Sequence, residues 1–154
     1  MLGNDIVDLN LAKIQSNWRR KNYLSKIFTE DEQLLILSAK NPDVMVWLLW
    51  SMKESAYKIY NRRTGIRSFA PKSLKCTIHS DLYGEVNIEG STYFTKSDLK
   101  TRFVHSIATP NYRMLEEIRI SIYEAPYNLF DYKSTKPGCV SHHGRYLALV
   151  TQVF

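Results

Sequence analysis

Cysteine is scarce in this sequence, which has Cys76 and Cys139 among its 154 residues. The two cysteines lie far apart, and no Cys-x-x-Cys pair is present. This spacing does not fit a cysteine-ligated metal site or a redox motif. The plain interpretation is two reduced thiols in a protein of the cytoplasm.

Long apolar runs are also missing. The run at residues 44–50 is far too short to span a membrane. The N-terminal residues include Asp5 and Asp8, whereas a secretory signal needs a basic segment followed by an apolar one. No repeat, low-complexity tract or linker interrupts the sequence. We therefore predict a single domain over residues 1–154, without a membrane anchor.

Acidic residues are fewer than basic ones, at 15 against 21, so the formal net charge is +6. This excess suits an anionic partner, such as nucleic acid, a polyphosphate cofactor or an acidic protein, and does not choose among them. The ten tyrosines permit a nucleic-acid-binding module. Against it, the sequence shows neither an RNA-binding pattern of aromatic and basic residues nor a helix-turn-helix signature.

The order of predicted elements indicates an α+β protein, in which helices lead and an antiparallel sheet follows. A short strand at residues 2–7 precedes a helix that ends near residue 21. Thr29 and Glu32 form a capping box for a second helix, and Gly65 ends the main helix at residues 42–62. Alternating polarity predicts the later strands. They lie at residues 73–79, 85–88, 91–95, 101–108, 118–125 and 139–153, with a turn at residues 83–84 and a bend at residue 144.

The main helix carries the sequence's clearest chemical pattern. Glu54 and Lys58 are four residues apart, so their side chains are neighbours on the helix surface. The plain interpretation is an exposed salt bridge that stabilises the helix by roughly 0.3 kcal/mol. Trp47 and Trp50 flank the pair, however, which indicates that the pair lines the wall of a cleft instead of an open surface. A carboxylate that holds a hard cation beside an ammonium that holds a phosphate forms a magnesium–phosphate site.

Four segments of the sequence, in compatible order, resemble the signature motifs of the 4′-phosphopantetheinyl transferases. They are Gly3-Asn4-Asp5-Ile6-Val7-Asp8-Leu9, Phe28-Thr29-Glu30-x-Glu32, Trp50-x-x-Lys53-Glu54-x-x-x-Lys58, and Ser141-His142 followed by Gly144-Arg145-Tyr146. The two-lobed class has a third acid where this chain has Val7. The chain therefore resembles the short holo-acyl-carrier-protein synthase class, and Asp8 is interpreted as a helix-start residue.

The resemblance implies a role for each matching side chain. Asp5 and Glu54 are expected to hold Mg²⁺, and Glu54 and Lys58 are the expected catalytic residues. The general base is either Glu54 or a metal-bound water. The residues expected to bind the phosphates of coenzyme A are Lys53, Lys58, Ser141 and His142. For Lys53, which points elsewhere on the helix from Glu54, a role in stabilising the fold is the open alternative. His143 is interpreted as a surface residue.

The implied reaction is Mg²⁺-dependent transfer of the 4′-phosphopantetheine arm of coenzyme A to a serine of an apo acyl or peptidyl carrier protein. Carriers of fatty acid biosynthesis, of polyketide synthesis and of peptide synthetases all stay open as acceptors. Carrier proteins are typically acidic, so Arg19, Arg20 and Lys21 are the expected docking surface, with a solvated helix end as the plain alternative. Since the chain has room for one lobe, we expect an oligomer, most simply a trimer, and a monomer with both parts of the site inside one lobe stays open. In it, Ser141 and His142 of one subunit would meet the acidic motifs of the next. A degenerate homologue that binds coenzyme A without turnover stays open.

Overall fold

The structure is a computed structural model that describes residues 1–80, 82–127 and 132–153. Within these ranges there are four α-helices, α1 (Leu9–Gln15), α2 (Tyr23–Ile27), α3 (Glu30–Ser38) and α4 (Pro42–Thr64). Its strands are β1 (Gly3–Asp8), β2 (Lys75–Ser80), β3 (Tyr83–Ile88), β4 (Ser91–Leu99), β5 (Phe103–Thr109), β6 (Ile118–Glu124), β7 (Cys139–His143) and β8 (Tyr146–Gln152). None of the helices in these ranges is long and apolar enough to cross a membrane.

The strands form two antiparallel sheets, and this arrangement confirms the predicted α+β class. The larger sheet has the order β1-β5-β4-β3-β2, and the smaller has the order β6-β8-β7. One face of the larger sheet packs on α4. The other face meets the smaller sheet through a buried cluster that includes Leu2, Ile107, Cys139 and Val150. The smaller sheet therefore lies against β1, the outer strand that carries Asp5.

Local capping signals explain why α3 and α4 begin where the sequence predicts. The Thr29 hydroxyl accepts from the Glu32 N–H, and the Glu32 carboxylate accepts from the Thr29 N–H. The Asn41 side chain caps α4 by accepting from the N–H of Val44 at 3.3 Å. Helix α4 runs to Thr64, and Gly65 follows it in the left-handed conformation. Leu48, Met52, Ala56 and Ile59 are all buried on the predicted apolar face.

Several predicted boundaries differ from the structure, and three of the differences change the arrangement of elements. The first helix ends at Gln15 because the next residues turn, with the Asn17 side chain accepting from the Arg19 N–H. Tyr83 begins a strand, since Leu82, at φ 68°, adopts the turn conformation one residue earlier. The last strand is two strands, β7 and β8, paired antiparallel around Gly144. This hairpin returns the C-terminal part of the chain to β1.

Candidate active site

A cavity of about 430 Å³ opens between β1, α1, α2, α4 and β7. Its lining includes Asp5 from β1, Trp47, Trp50 and Glu54 from α4, and His142 and His143 from β7. The predicted cleft beside the two tryptophans is therefore present. We call this cavity the Asp5 pocket.

Asp5 is the most perturbed carboxyl group in the pocket. Burial raises its pKa from 3.8 to about 7, and the nearby Glu54 carboxylate adds to the rise. Two contacts oppose this effect. Lys58 Nζ lies 3.6 Å from Asp5 Oδ1, and the Ser141 hydroxyl donates to the same oxygen at 3.4 Å. A buried carboxylate whose charge is incompletely balanced favours a bound cation.

Glu54 is half-buried in the same pocket. Burial raises its pKa, and the charge of Lys58 opposes that rise. Lys58 does not pair with Glu54: its ammonium donates to the Asn4 carbonyl oxygen at 2.6 Å and reaches Asp5 instead. The exposed salt bridge between Glu54 and Lys58 is therefore a wrong interpretation. The arrangement places two carboxylates and one ammonium around the same end of the pocket.

The donor set fits Mg²⁺. Asp5 and Glu54 supply carboxylate oxygens, which are the ligands that hard divalent cations prefer. Within residues 1–80, 82–127 and 132–153, no group of three or more His, Cys, Asp or Glu residues is placed to hold a metal. A site with two protein carboxylates suits Mg²⁺, because this ion usually keeps several waters and binds substrate phosphates.

Ser141 approaches Asp5 within one chain. Its hydroxyl accepts from the N–H of Ile6 at 3.0 Å and donates to Asp5, and the side chain is buried. His142 is exposed and lines the pocket. Within the single chain, β7 folds back on β1, so Ser141 lies beside the Asp5 of its own chain. The expected trimer, in which Ser141 and His142 of one subunit would meet the acidic motifs of the next, stays a prediction.

Lys53 lies outside the pocket, which corrects its predicted role in cofactor binding. The side chain is fully buried, and its ammonium is 2.7 Å from Glu32 Oε1. It also donates to the carbonyl oxygens of Ile27 and Pro71. Because Lys has three donors, these partners use all of them. Lys53 therefore joins α4 to α3 and to the segment before β2.

The structure confirms the interpretation of Asp8 and revises that of His143. Asp8 caps α1 by accepting from the N–H groups of Asn10 and Leu11. His143 is half-buried, lines the pocket and accepts from the Asp8 N–H at 2.9 Å. The alternation of side chains along a strand is the signal that could have found it, since Ser141 and His143 share one face of β7.

The predicted basic docking residues lie in the turn between α1 and α2. Arg19 pairs with Asp43 at 2.8 Å, Arg20 lies over the Tyr23 ring, and Lys21 is exposed. Tyr23 itself lines the Asp5 pocket. The basic turn is thus beside the pocket and is not the end of a longer helix.

Comparison with known proteins gives the chain a family. The model of the 4′-phosphopantetheinyl transferase superfamily matches residues 1–114, which include Asp5, Glu54 and Lys58 but not Ser141. The holo-[acyl-carrier-protein] synthase of Lachnoclostridium phytofermentans is 28% identical over 111 residues, covering 68% of this chain and 80% of the relative.

Solved structures show the same fold. The holo-[acyl-carrier-protein] synthase of Neisseria meningitidis superposes with a TM-score of 0.58 at 18% identity, covering 70% of this chain and 94% of that one. The Thermotoga maritima enzyme of the same name gives a TM-score of 0.55 at 12% identity, covering 96% and 81%. Together with the family match and the paired carboxylates of the pocket, these likenesses confirm the resemblance seen in the motifs: the chain belongs to the 4′-phosphopantetheinyl transferase superfamily.

Proposed function

We propose that this chain transfers the 4′-phosphopantetheine arm of coenzyme A to a serine of an apo acyl carrier protein and releases 3′,5′-ADP. The observation that carries the proposal is the pairing of Asp5 with Glu54 in one pocket, with Lys58 beside them. Family membership supports a transferase of the holo-acyl-carrier-protein synthase type over a nucleic-acid-binding module. We place the reaction in the cytoplasm, where fatty-acid carrier proteins are one class of acceptor.

The proposed reaction is a displacement at the β-phosphorus of coenzyme A. The serine oxygen forms a bond to that phosphorus, and the bond to the oxygen that bridges the two phosphates breaks. The departing 3′,5′-ADP keeps the bridging oxygen and its electron pair. The serine proton goes to the Glu54 carboxylate, whose raised pKa favours proton acceptance. Mg²⁺, when bound by Asp5 and Glu54, would neutralise charge on the phosphates.

Lys58 supplies positive charge beside the two carboxylates. Among its contacts with the described residues, the ammonium donates one hydrogen bond, to the Asn4 carbonyl oxygen, and forms an ion pair with Asp5 at 3.6 Å. Since Lys has three donors, donors remain to bind a phosphate oxygen and to stabilise the charge that grows there during transfer. Holding Lys58 from two sides also fixes its direction, which favours a defined phosphate position over a mobile surface charge.

The basic turn at Arg19, Arg20 and Lys21 supports an acidic carrier protein as the acceptor. The Arg20 guanidinium lies over the ring of Tyr23, which lines the Asp5 pocket, and Arg19 and Lys21 flank Arg20 in the same turn. A carrier protein bound there by charge would present its serine to the pocket. Attraction between opposite charges at such a surface raises the association rate, and this attraction weakens as ionic strength increases.

Mass spectrometry of an apo acyl carrier protein, incubated with this chain, coenzyme A and Mg²⁺, tests the proposal. We expect the carrier to gain the mass of phosphopantetheine, and Glu54→Gln to lower the rate by roughly 10²-fold or more. Glu117→Gln, which changes an exposed glutamate outside the pocket, is the matched control. Coenzyme A binding without any gain of mass would instead identify a homologue without turnover.

A further inference from the structure

The outer edge of β1 is closed by side chains. On its inner edge β1 pairs with β5, so its remaining backbone groups face β7. There the Ile6 N–H donates to Ser141 Oγ at 3.0 Å, and the Asp8 N–H donates to His143 Nδ1 at 2.9 Å. Ser141 and His143, which lie on the same face of β7, therefore accept hydrogen bonds from the backbone N–H groups of Ile6 and Asp8 in β1. This contact fixes the strand that carries Asp5.

His143 also reaches the far end of α1. Its Nε2 lies 2.9 Å from Gln15 Oε1, and Gln15 is the last residue of that helix. The Asp8 amide can only donate, so Nδ1 is the acceptor and the ring proton lies on Nε2, which donates to Gln15. Both ring nitrogens have partners when the ring is neutral. Burial lowers the pKa of His143, which agrees with a neutral ring.

The helix between these two contacts needs support. α1 has about two turns, and Ala12 is its one buried residue. A helix this short is marginal without tertiary contacts. Its residues Ala12 and Gln15 nevertheless line the Asp5 pocket, opposite the tryptophans of α4. The imidazole of His143 contacts both Asp8, which precedes α1, and Gln15, which ends it. One side chain therefore connects the two elements, β1 and α1, that form walls of the pocket.

We propose that His143 is a positioning residue, which holds β1 and α1 in place as two walls of the Asp5 pocket. It acts through the Asp8 amide and the Gln15 side chain rather than on the reacting atoms. The motif resemblance includes the residues on both sides of His143 but not His143 itself, and the family match ends at residue 114, so neither assigns a role to His143. The expected effect of His143 on coenzyme A affinity rests on the proposed function, whereas its effect on the positions of β1 and α1 does not.

Two substitutions separate the contacts of the imidazole. His143→Asn places an amide oxygen where Nδ1 was and keeps the bond to the Asp8 amide, whereas His143→Leu removes both contacts. His79→Leu, at an exposed histidine of β2, is the control. We expect His143→Leu to raise the dissociation constant of coenzyme A, measured by calorimetry with Mg²⁺, about ten-fold. His143→Asn should restore it to within about three-fold of wild type, and Gln15→Ala should weaken binding less than His143→Leu does.

Amide hydrogen exchange tests the positioning without any ligand. The amides of residues 8–16 should exchange about ten-fold faster in His143→Leu, while the Asp8 amide stays protected in His143→Asn. Unchanged exchange in His143→Leu would overturn the proposal. Faster exchange with unchanged coenzyme A affinity would also overturn it, since His143 would then be structural alone. If wild type binds no coenzyme A, the proposed function fails, and the exchange rates decide whether His143 fixes the two walls.

Discussion

Lys53 and Glu54 adjoin in the sequence, and both belong to the motif that resembles the family signature. The structure gives them different surroundings. Glu54 reaches the Asp5 pocket, whereas Lys53 is fully buried against Glu32. A helix turns about 100° per residue, so neighbours in a motif need not share a site. The spacing of residues in the motif was enough to predict the helix and the placement of Glu54 in the pocket. The partner of Lys53 is Glu32 of α3, and no local sequence pattern predicts that these two residues meet.

Replacement of Lys53 should therefore affect stability rather than catalysis. Lys53→Met leaves the Glu32 carboxylate buried without a cation, and we expect a loss of about 3–5 kcal/mol in the free energy of unfolding. Urea titration measures this loss. Adding Glu32→Gln should recover part of it, because the unpaired buried charge is then removed. A selective loss of coenzyme A affinity at unchanged stability would contradict this assignment.

The raised pKa of Asp5 predicts a pH-dependent effect of Mg²⁺. In the folded chain this pKa is about 7, above its ordinary value of 3.8, so the folded state holds a proton that the unfolded state has lost. Without metal, this group therefore costs stability increasingly as pH rises from about 4 to about 7. Because Mg²⁺ binds the ionised form, its stabilising effect should grow over the same interval and then level off.

Thermal unfolding with and without Mg²⁺ measures that effect. We expect Mg²⁺ to raise the midpoint at pH 8, to have little effect at pH 5, and to have no effect in Asp5→Asn. Without metal, Asp5→Asn should be more stable than wild type at pH 8, since position 5 then carries no charge. Asp31→Asn, at an exposed position on α3, should behave as wild type. Equal midpoint shifts at both pH values would mean that Mg²⁺ acts elsewhere.

At the scale of elements, β1 and α4 form the site because they approach each other closely. A Cβ atom on Gly3 would lie 1.9 Å from the carbonyl oxygen of Ser55, so a side chain cannot be accommodated without moving the helix. This close approach places Asp5 opposite Glu54. Glycine in the first motif thus has a packing role that the sequence did not reveal, since its contact is with a residue of another element.

Gly3→Ala should separate the strand from the helix. We expect it to lower the free energy of unfolding by about 3 kcal/mol, as overpacking does, and to lower the transfer rate more than ten-fold. Gly65→Ala is the matched control, because that glycine has open space around it and a φ of 75°. It should cost about 1 kcal/mol through backbone strain and leave the transfer rate near wild type. Similar rates in both variants would show that the spacing between β1 and α4 is not critical.

The elements that carry strong local signals were predictable. The capping box of α3, the start and end of α4 and the alternating strands all follow from short-range chemistry. The short α1 and the turn before β3 were not predictable, because single side-chain contacts and one residue at positive φ decide them. Such single contacts leave no periodic pattern in the sequence from which they could be predicted.

At the scale of the whole molecule, the C-terminal sheet completes the site. The contact between Ser141 and Asp5 joins residues 136 positions apart, and the segment that provides it lies outside the matched family region. Contacts of this range depend on how two sheets pack, which periodicity along the chain does not encode. The contact between Ser141 and Asp5 of one chain was not predictable for this reason, although each predicted site residue except Lys53 lies at or beside the pocket. A site shared between subunits stays a prediction.

Because the Ser141 hydroxyl lies 3.4 Å from Asp5 of the same chain, we propose as the central claim that one chain holds the complete transfer site. Complementation between two defective variants tests this claim most directly against a site shared between subunits. Glu54→Gln removes the carboxylate on α4, and His142→Glu, at an exposed position, places a negative charge where phosphates are proposed to bind. Each variant alone should be inactive in the carrier-protein mass assay. When the two are co-expressed, every pocket built from one chain keeps a defect, so we predict no recovery of activity. Recovery would contradict the account, because a pocket free of both defects can then form only between chains.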